Sequence, residues 1–65
     1  MNRRYFTADE ADAGERADRW LAEAAGDLSR STVQKLCDDG AVFADGRAIP
    51  KNYRLRGGEE LAVEV

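Results

Sequence analysis

The fold of this chain is decided by residues 28–40, which read LSRSTVQKLCDDG. Val33, Leu36 and Cys37 have the i, i+3, i+4 spacing of one helix face, which predicts that this face packs into a core. Gly40 is a natural stop, because glycine readily adopts the left-handed conformation that ends many helices. The stretch therefore predicts a short amphipathic helix with a sharp C-terminal end.

The start of this helix carries hydroxyl groups and an arginine. Ser29 is the simplest N-cap, but Ser31 with Gln34 three residues later also fits a capping box, so the sequence leaves two starts open. A capped start offers free backbone N–H groups and the positive end of the helix dipole, and Arg30 adds a full charge. This combination suits a phosphate group. An ordinary surface helix with a good cap explains the same residues.

Length and composition restrict the classes of protein that fit. The chain has 65 residues, of which 43% are apolar and 35% charged, as expected for one small folded domain. One cysteine and no histidine exclude an intramolecular disulfide and argue against a zinc site, so we expect neither a metal nor a cofactor. The chain contains no apolar run of membrane-spanning length and no signal-peptide core, and we expect a cytoplasmic protein.

Positive charge is concentrated in the middle of the chain. The net charge is −3, yet residues 28–58 contain six basic and three acidic side chains. The flanking residues 1–27 and 59–65 each carry a net charge of −3. A basic segment inside an acidic domain predicts a basic face, although mixed charges on a solvated surface fit the same numbers.

A second amphipathic pattern precedes residues 28–40. From Ala17 to Leu28 the apolar residues follow one another at intervals of three, one, three, one and three positions. This spacing predicts an amphipathic helix of about three turns near residues 13–25. Asp12, with a glutamate three residues later, has the form of its N-cap. The preceding residues 3–7 are β-prone and form either a loose arm or an edge strand.

The pattern changes to strands in the second half of the chain. Residues 41–44 have the pattern of a strand, and Asp45-Gly46 is the strongest hairpin-turn signal in the sequence. Residues 47–49 are expected to form the second strand of this hairpin. Residues 60–65 alternate as a final half-buried strand. The sequence thus predicts an α+β fold in which two amphipathic helices are followed by a small antiparallel sheet. The predicted core comprises Trp20, Leu21, Leu28, Val33, Leu36, Val42, Leu55, Leu61 and Val63.

Five short motifs carry a resemblance to a known family. They are Arg16-x-Asp18-x-x-Leu21, Ser29-Arg30-Ser31-x-Val33-Gln34-Lys35-Leu36, Gly40-x-Val42, Asp45-Gly46-Arg47 and Tyr53-x-Leu55-x-x-Gly58-Glu59. Their order resembles the S4 RNA-binding domain, or alpha-L motif, over residues 14–65. The Ser-Arg-Ser helix followed by the Gly-x-Val strand is the specific part of this resemblance.

Within that family the chain is most similar to the N-terminal S4 module of large-subunit ribosomal RNA pseudouridine synthases. The resemblance implies an arm or edge strand at residues 1–13, an S4-like domain at 14–65, and a catalytic domain beyond Val65. In that catalytic domain the aspartate lies in an Arg-Leu-Asp motif followed by a Thr-Ser-Gly-type segment. Arg16-Ala17-Asp18 lacks such a segment, so we expect no catalytic residue here and interpret Asp18 as structural.

The resemblance also implies an RNA-facing surface and partners. We expect a monomer that binds structured RNA, specifically ribosomal RNA, and positions the pseudouridine synthase domain. Tyr53 either stacks on a base or covers the edge of the core, and these alternatives stay open. The candidate RNA-binding residues are Arg16, Ser29, Arg30, Ser31, Gln34, Lys35, Arg47, Lys51, Tyr53 and Arg54.

Three other interpretations remain open. The chain resembles the S4 modules of other ribosome- or tRNA-associated proteins as well. It also fits a module that docks only against its own catalytic domain, without affinity for RNA. Residues 54–58, Arg-Leu-Arg-Gly-Gly, resemble the tail of a ubiquitin-like modifier, but such folds begin with a hairpin before the helix, which argues against this interpretation.

Overall fold

Two helices pack against one face of a four-stranded antiparallel sheet in the computed structural model, which describes residues 2–64. The predicted α+β fold is confirmed. The sheet order is β1-β4-β2-β3. The elements are β1 (Arg3–Thr7), a 3₁₀ turn (Glu10–Asp12), α1 (Ala17–Ala25), α2 (Arg30–Asp38), β2 (Val42–Ala44), β3 (Arg47–Ala48) and β4 (Glu60–Glu64).

The last strand, β4, lies inside the sheet and carries two residues of the hydrophobic core. It pairs with β1 on one side and with β2 on the other. Leu61 and Val63 are fully buried against the helices. Because side chains alternate along a strand, Ala62 lies on the opposite face, level with Tyr5 of β1 and Phe43 of β2.

The N-terminal residues form the edge strand and not a loose arm. Arg3 is paired with Glu64 at one end of β1, and Thr7 is paired with Glu60 at the other. The final strand was expected over residues 60–65, and β4 covers all of these except Val65. Val65 and Met1 lie outside the described residues.

The prediction for the start of the first helix was wrong. The helix begins at Ala17, and Asp12 belongs to the 3₁₀ turn, where its carboxylate accepts a hydrogen bond from the Asp9 amide at 2.9 Å. Residues 14–16 are not helical because their backbone pairs with a distant segment. The Gly14 amide donates to the Leu55 carbonyl at 2.7 Å, and the Leu55 amide donates to the Glu15 carbonyl at 2.9 Å.

Helix α2 was expected near residues 30–39 and covers Arg30–Asp38. Ser29 is the N-cap, and its hydroxyl accepts a hydrogen bond from the Thr32 amide at 3.1 Å, which resolves the two open starts. At the other end Gly40 has a φ of 73° and donates to the Cys37 carbonyl at 3.0 Å. The Ala41 amide donates to the Leu36 carbonyl at 2.9 Å. Together the two bonds form a Schellman motif.

The predicted hairpin is also confirmed. Asp45 and Gly46 connect β2 to β3 with φ values of 49° and 84°, and a type I′ turn requires a positive φ at both central positions.

Neither helix among the described residues is long and apolar enough to cross a lipid bilayer.

The core combines both helices with the sheet. Six of the nine predicted core residues are buried, while Trp20, Leu28 and Leu36 are half-buried and pack against them. Cys37 is buried as expected of a small apolar residue. Burial, together with the nearby charges of Asp18 and Asp38, raises the pKa of the Cys37 thiol to about 11, so the thiol stays protonated near neutral pH.

We predict that Leu21→Ala lowers the free energy of unfolding by roughly 2–5 kcal/mol, because it leaves a cavity at a fully buried site. Leu36→Ala removes the same atoms from a half-buried position, so its loss is smaller. Urea unfolding followed by circular dichroism measures both. Equal losses for the two variants would contradict this assignment of the core.

Candidate nucleic-acid interface

A buried carboxylate, that of Asp18, connects the two helices through hydrogen bonds. Asp18, at the second position of α1, is fully buried. Its Oδ2 accepts from Gln34 Nε2 at 2.8 Å, Arg16 Nη2 at 3.1 Å and Arg30 Nε at 3.2 Å. Its Oδ1 accepts from the Arg19 backbone amide at 2.8 Å. One carboxylate therefore fixes side chains from both helices, which supports the structural role expected for Asp18.

The hydrogen bonds keep Asp18 ionised. Burial by itself raises the pKa of this carboxyl group. The donors from Gln34, the Arg19 amide and Arg30, with the charge of Arg16, outweigh burial and hold the pKa below its usual range. At neutral pH the group is a fixed negative charge that orients Arg16 and Arg30, whose side chains remain 35% and 47% exposed. The Arg16 Nε is buried without a hydrogen-bond partner among the described residues, so Arg16 contacts a ligand through its terminal nitrogens.

The oriented arginines line a groove of about 520 Å³, which we call the arginine groove. Four arginines from three parts of the chain meet there, although they are far apart in the sequence. The Arg54 guanidinium is held by a hydrogen bond from Nη1 to the Gly14 carbonyl at 2.9 Å. The residues lining the groove are Ala13, Gly14, Glu15, Arg16, Arg19, Arg30 and Arg54.

Arg19 is the one of the four groove arginines that was not among the predicted RNA-binding residues. Its side chain is 64% exposed and lies 3.6 Å from Glu23, one helical turn further along α1. Because Arg16 and Arg19 are three residues apart, they are neighbours on a helix surface. This spacing was the available signal for Arg19.

Arg30 is the predicted residue of α2 that lines the groove, and the predicted residues around it are engaged in other ways. The Ser29 hydroxyl is used as the helix cap, and the Ser31 hydroxyl lies 3.2 Å from it. Gln34 donates to Asp18. Lys35 is exposed further along α2, outside the residues that line the groove.

The remaining predicted residues lie elsewhere on the surface. Lys51 Nζ lies 3.9 Å from an Asp38 carboxylate oxygen. Tyr53 is half-buried against the core, and its hydroxyl donates to Glu59 at 2.7 Å. Arg47 lines a separate cleft with Tyr53. Within residues 2–64, acidic and cysteine side chains form no cluster of three that could hold a metal ion.

Comparison with known proteins identifies the family. The sequence model of the S4 domain matches residues 15–61, which include both helices, the hairpin and the start of β4. The chain belongs to the S4 domain family, whose members are generally RNA-binding modules. The arginine groove lies within the matched residues except for its rim at Ala13 and Gly14.

Similar proteins are named as RNA-modifying enzymes. The chain is 38% identical over all 65 of its residues to the uncharacterized RNA pseudouridine synthase YlyB of Bacillus subtilis. It is 43% identical over 57 residues to an uncharacterized RNA pseudouridine synthase of Synechocystis, and 42% identical over 52 residues to one of Aquifex aeolicus. These matches cover 100%, 86% and 78% of this chain, but only 22%, 17% and 16% of the relatives. The chain therefore corresponds to a small part of each.

We predict that Asp18→Asn weakens the acid dependence of stability. Because the folded-state pKa of Asp18 is lowered, its carboxylate stabilises the fold above the unfolded pKa of about 3.9, and this contribution is lost as the pH falls through the folded pKa. The variant should cost roughly 1–3 kcal/mol at pH 7 and lose less stability on acidification.

Urea unfolding at neutral and acidic pH measures this effect. Asp39→Asn is the matched control, because Asp39 is exposed and its carboxylate makes no ion pair within the described residues. Parallel pH profiles for the wild-type protein and Asp18→Asn would mean that the buried carboxylate does not stabilise the fold as argued.

Proposed function

We propose that this domain binds structured ribosomal RNA and positions a pseudouridine synthase catalytic domain of a longer protein. The observation that carries the proposal is the arginine groove, in which a buried, ionised Asp18 orients Arg16 and Arg30 beside Arg19 and Arg54. The names of the relatives, RNA pseudouridine synthases, support the choice of RNA and of the catalytic partner.

The chemistry of the groove matches the backbone of an RNA helix. Arginine presents a planar fork of donors that fits phosphate oxygens, and it stays charged at any physiological pH. Double-helical RNA is recognised largely through its shape and its phosphates, because its deep major groove excludes side chains. Structured RNA brings several phosphates together on one surface, so it is a better match for four convergent arginines than an isolated anion is.

Preorganisation strengthens this match. The guanidinium groups of Arg16 and Arg30 are anchored by Asp18, and that of Arg54 by the Gly14 carbonyl. Long side chains that are already held lose less conformational freedom when they bind. We therefore assign the main phosphate contacts to the arginine groove. The flanking contacts are assigned to Ser29, Ser31, Gln34, Lys35, Arg47, Lys51 and Tyr53.

The role proposed for this chain is binding and not catalysis. Asp18 is the aspartate whose sequence context is nearest to the catalytic motif of the synthases, and its carboxylate is fully buried and accepts four hydrogen bonds. A carboxylate engaged in this way is not available to attack a base. We expect no pseudouridine after incubation of this chain with ribosomal RNA, measured by mass spectrometry of the digested RNA. Enzyme-dependent conversion of uridine would contradict the proposal.

We predict that Arg30→Gln and Arg54→Gln each weaken binding to a ribosomal stem-loop. Each variant should also reduce the magnitude of the log–log salt slope by roughly 0.7–0.9, the value for one lost phosphate contact. Fluorescence anisotropy at two or more salt concentrations measures both the affinity and the slope.

Arg3→Gln is the charge-matched control. Arg3 lies on β1 and pairs with Glu64 at 2.7 Å, away from the residues that line the groove. It should change affinity less than either groove variant. Equal losses for all three variants would mean that net charge, and not the groove, accounts for binding. No binding by the wild-type chain would favour a module that docks only against its catalytic domain.

A further inference from the structure

We propose that a second site, the hairpin cleft, binds one unpaired nucleotide of the RNA, and this proposal rests on the proposed function. The cleft lies between the β2–β3 hairpin and the loop before β4, and its volume is about 380 Å³. Two arginines, an aromatic ring and an apolar wall meet there. The residues that carry the argument are Arg47, Ile49, Pro50, Tyr53, Arg56 and Glu59.

The cations of the cleft are available to an anion. Within residues 2–64, the guanidinium groups of Arg47 and Arg56 make no ion pair and no hydrogen bond to another side chain. Two acidic side chains, Asp45 and Glu59, also line the cleft, and their carboxylates accept hydrogen bonds from backbone amides. Asp45 accepts from the Glu60 amide at 3.1 Å, and Glu59 accepts from the Arg56 amide at 2.8 Å. The two guanidinium groups are therefore free to bind a phosphate.

The aromatic wall is held in place by a buried carboxylate. Glu59 is only 5% exposed, and it accepts from the Gly57 amide at 2.7 Å and from the Tyr53 hydroxyl at 2.7 Å. Burial raises the pKa of Glu59, but the hydrogen bonds from the Arg56 amide and the other donors outweigh burial and lower it. The ionised group thus fixes both the loop and the tyrosine, so the cleft is formed before a ligand arrives.

This combination of groups favours a nucleotide over a bare anion or an acidic peptide. A phosphate alone needs the arginines but not the tyrosine or the apolar wall of Ile49 and Pro50. A nucleotide uses both parts, because its phosphate pairs with arginine and its base stacks on an aromatic ring or a guanidinium plane. The volume of about 380 Å³ lies within the range for small-ligand sites, which is enough for one nucleotide.

The position of the cleft allows one RNA to occupy both sites. Tyr53 lines the cleft and the next residue, Arg54, lines the arginine groove. The backbones that carry the two sites are therefore continuous at residues 53–54. Because the domain measures only 29 × 21 × 18 Å, we expect a single-stranded tail that leaves a stem in the groove to reach the cleft.

The test compares a blunt RNA hairpin with the same hairpin carrying a short single-stranded tail. For the wild-type chain we expect the tail to increase affinity by at least about fivefold, the lower end for one base stacked on an aromatic ring. Arg56→Gln should remove this gain and leave binding of the blunt hairpin nearly unchanged, because Arg56 lines the cleft and not the arginine groove. Arg3→Gln, the charge-matched control, should preserve the gain.

Two results would overturn the cleft while leaving the arginine groove intact. One is equal affinity of the wild-type chain for the two RNAs. The other is an equal loss of the tail effect in Arg56→Gln and Arg3→Gln, which would indicate net charge alone. In either case binding of the blunt hairpin shows that the proposed function still holds.

A separate titration tests the cleft if neither RNA binds. Uridine monophosphate and inorganic phosphate are added to isotope-labelled protein, and amide shifts are followed by NMR. Shifts at Arg47, Tyr53 and Arg56 that are larger for the nucleotide than for phosphate support the cleft. Equal shifts for the two ligands indicate an anion site without base recognition, and absence of shifts indicates no site, so both results overturn the proposal.

Discussion

The buried carboxylate of Asp18 connects the packing of the helices to the shape of the surface. Removing a carboxylate from water costs several kcal/mol, and only good donors can offset that cost. Here the donors come from the start of α1 and from Arg30 and Gln34 of α2. The helices must therefore be docked for the charge to be tolerated, and docking also brings the arginines together. Stability of the fold and formation of the groove depend on the same contacts.

The burial of carboxylates beneath hydrogen-bond donors also explains how an acidic domain presents basic sites. The net charge is −3, yet two of the thirteen acidic side chains, Asp18 and Glu59, are buried under donors. Asp27 and Glu64 are paired with Arg4 and Arg3 of β1, which do not line the groove. These four negative charges are thus placed beneath or away from the groove arginines, whereas Glu15 lines the groove and Glu23 lies 3.6 Å from Arg19. The local potential differs from the potential that the total charge suggests, because fields at a surface depend on where charges lie.

Local signals in the sequence were sufficient for some elements and not for others. The Ser29 cap and the Asp45-Gly46 turn act within a few residues, so α2 and the hairpin were predictable. The start of α1 was missed because residues 14–16 pair with residues 53–55, and no local pattern encodes a contact across about 40 positions. For the same reason the sequence did not separate Arg47 from Arg54, which line different sites.

The strand order has a consequence for how the chain assembles. Strand β4 is made after the other three strands, and it lies between β1 and β2, so neither neighbour has its full set of partners until residues 60–64 are present. Pairing β1 with β4 joins residues up to 61 positions apart, and closing so long a loop slows folding relative to local contacts. The two helices, by contrast, are adjacent in sequence and can meet early. During synthesis the half of the protein that carries Asp18 and its donors is complete well before the sheet can close behind it.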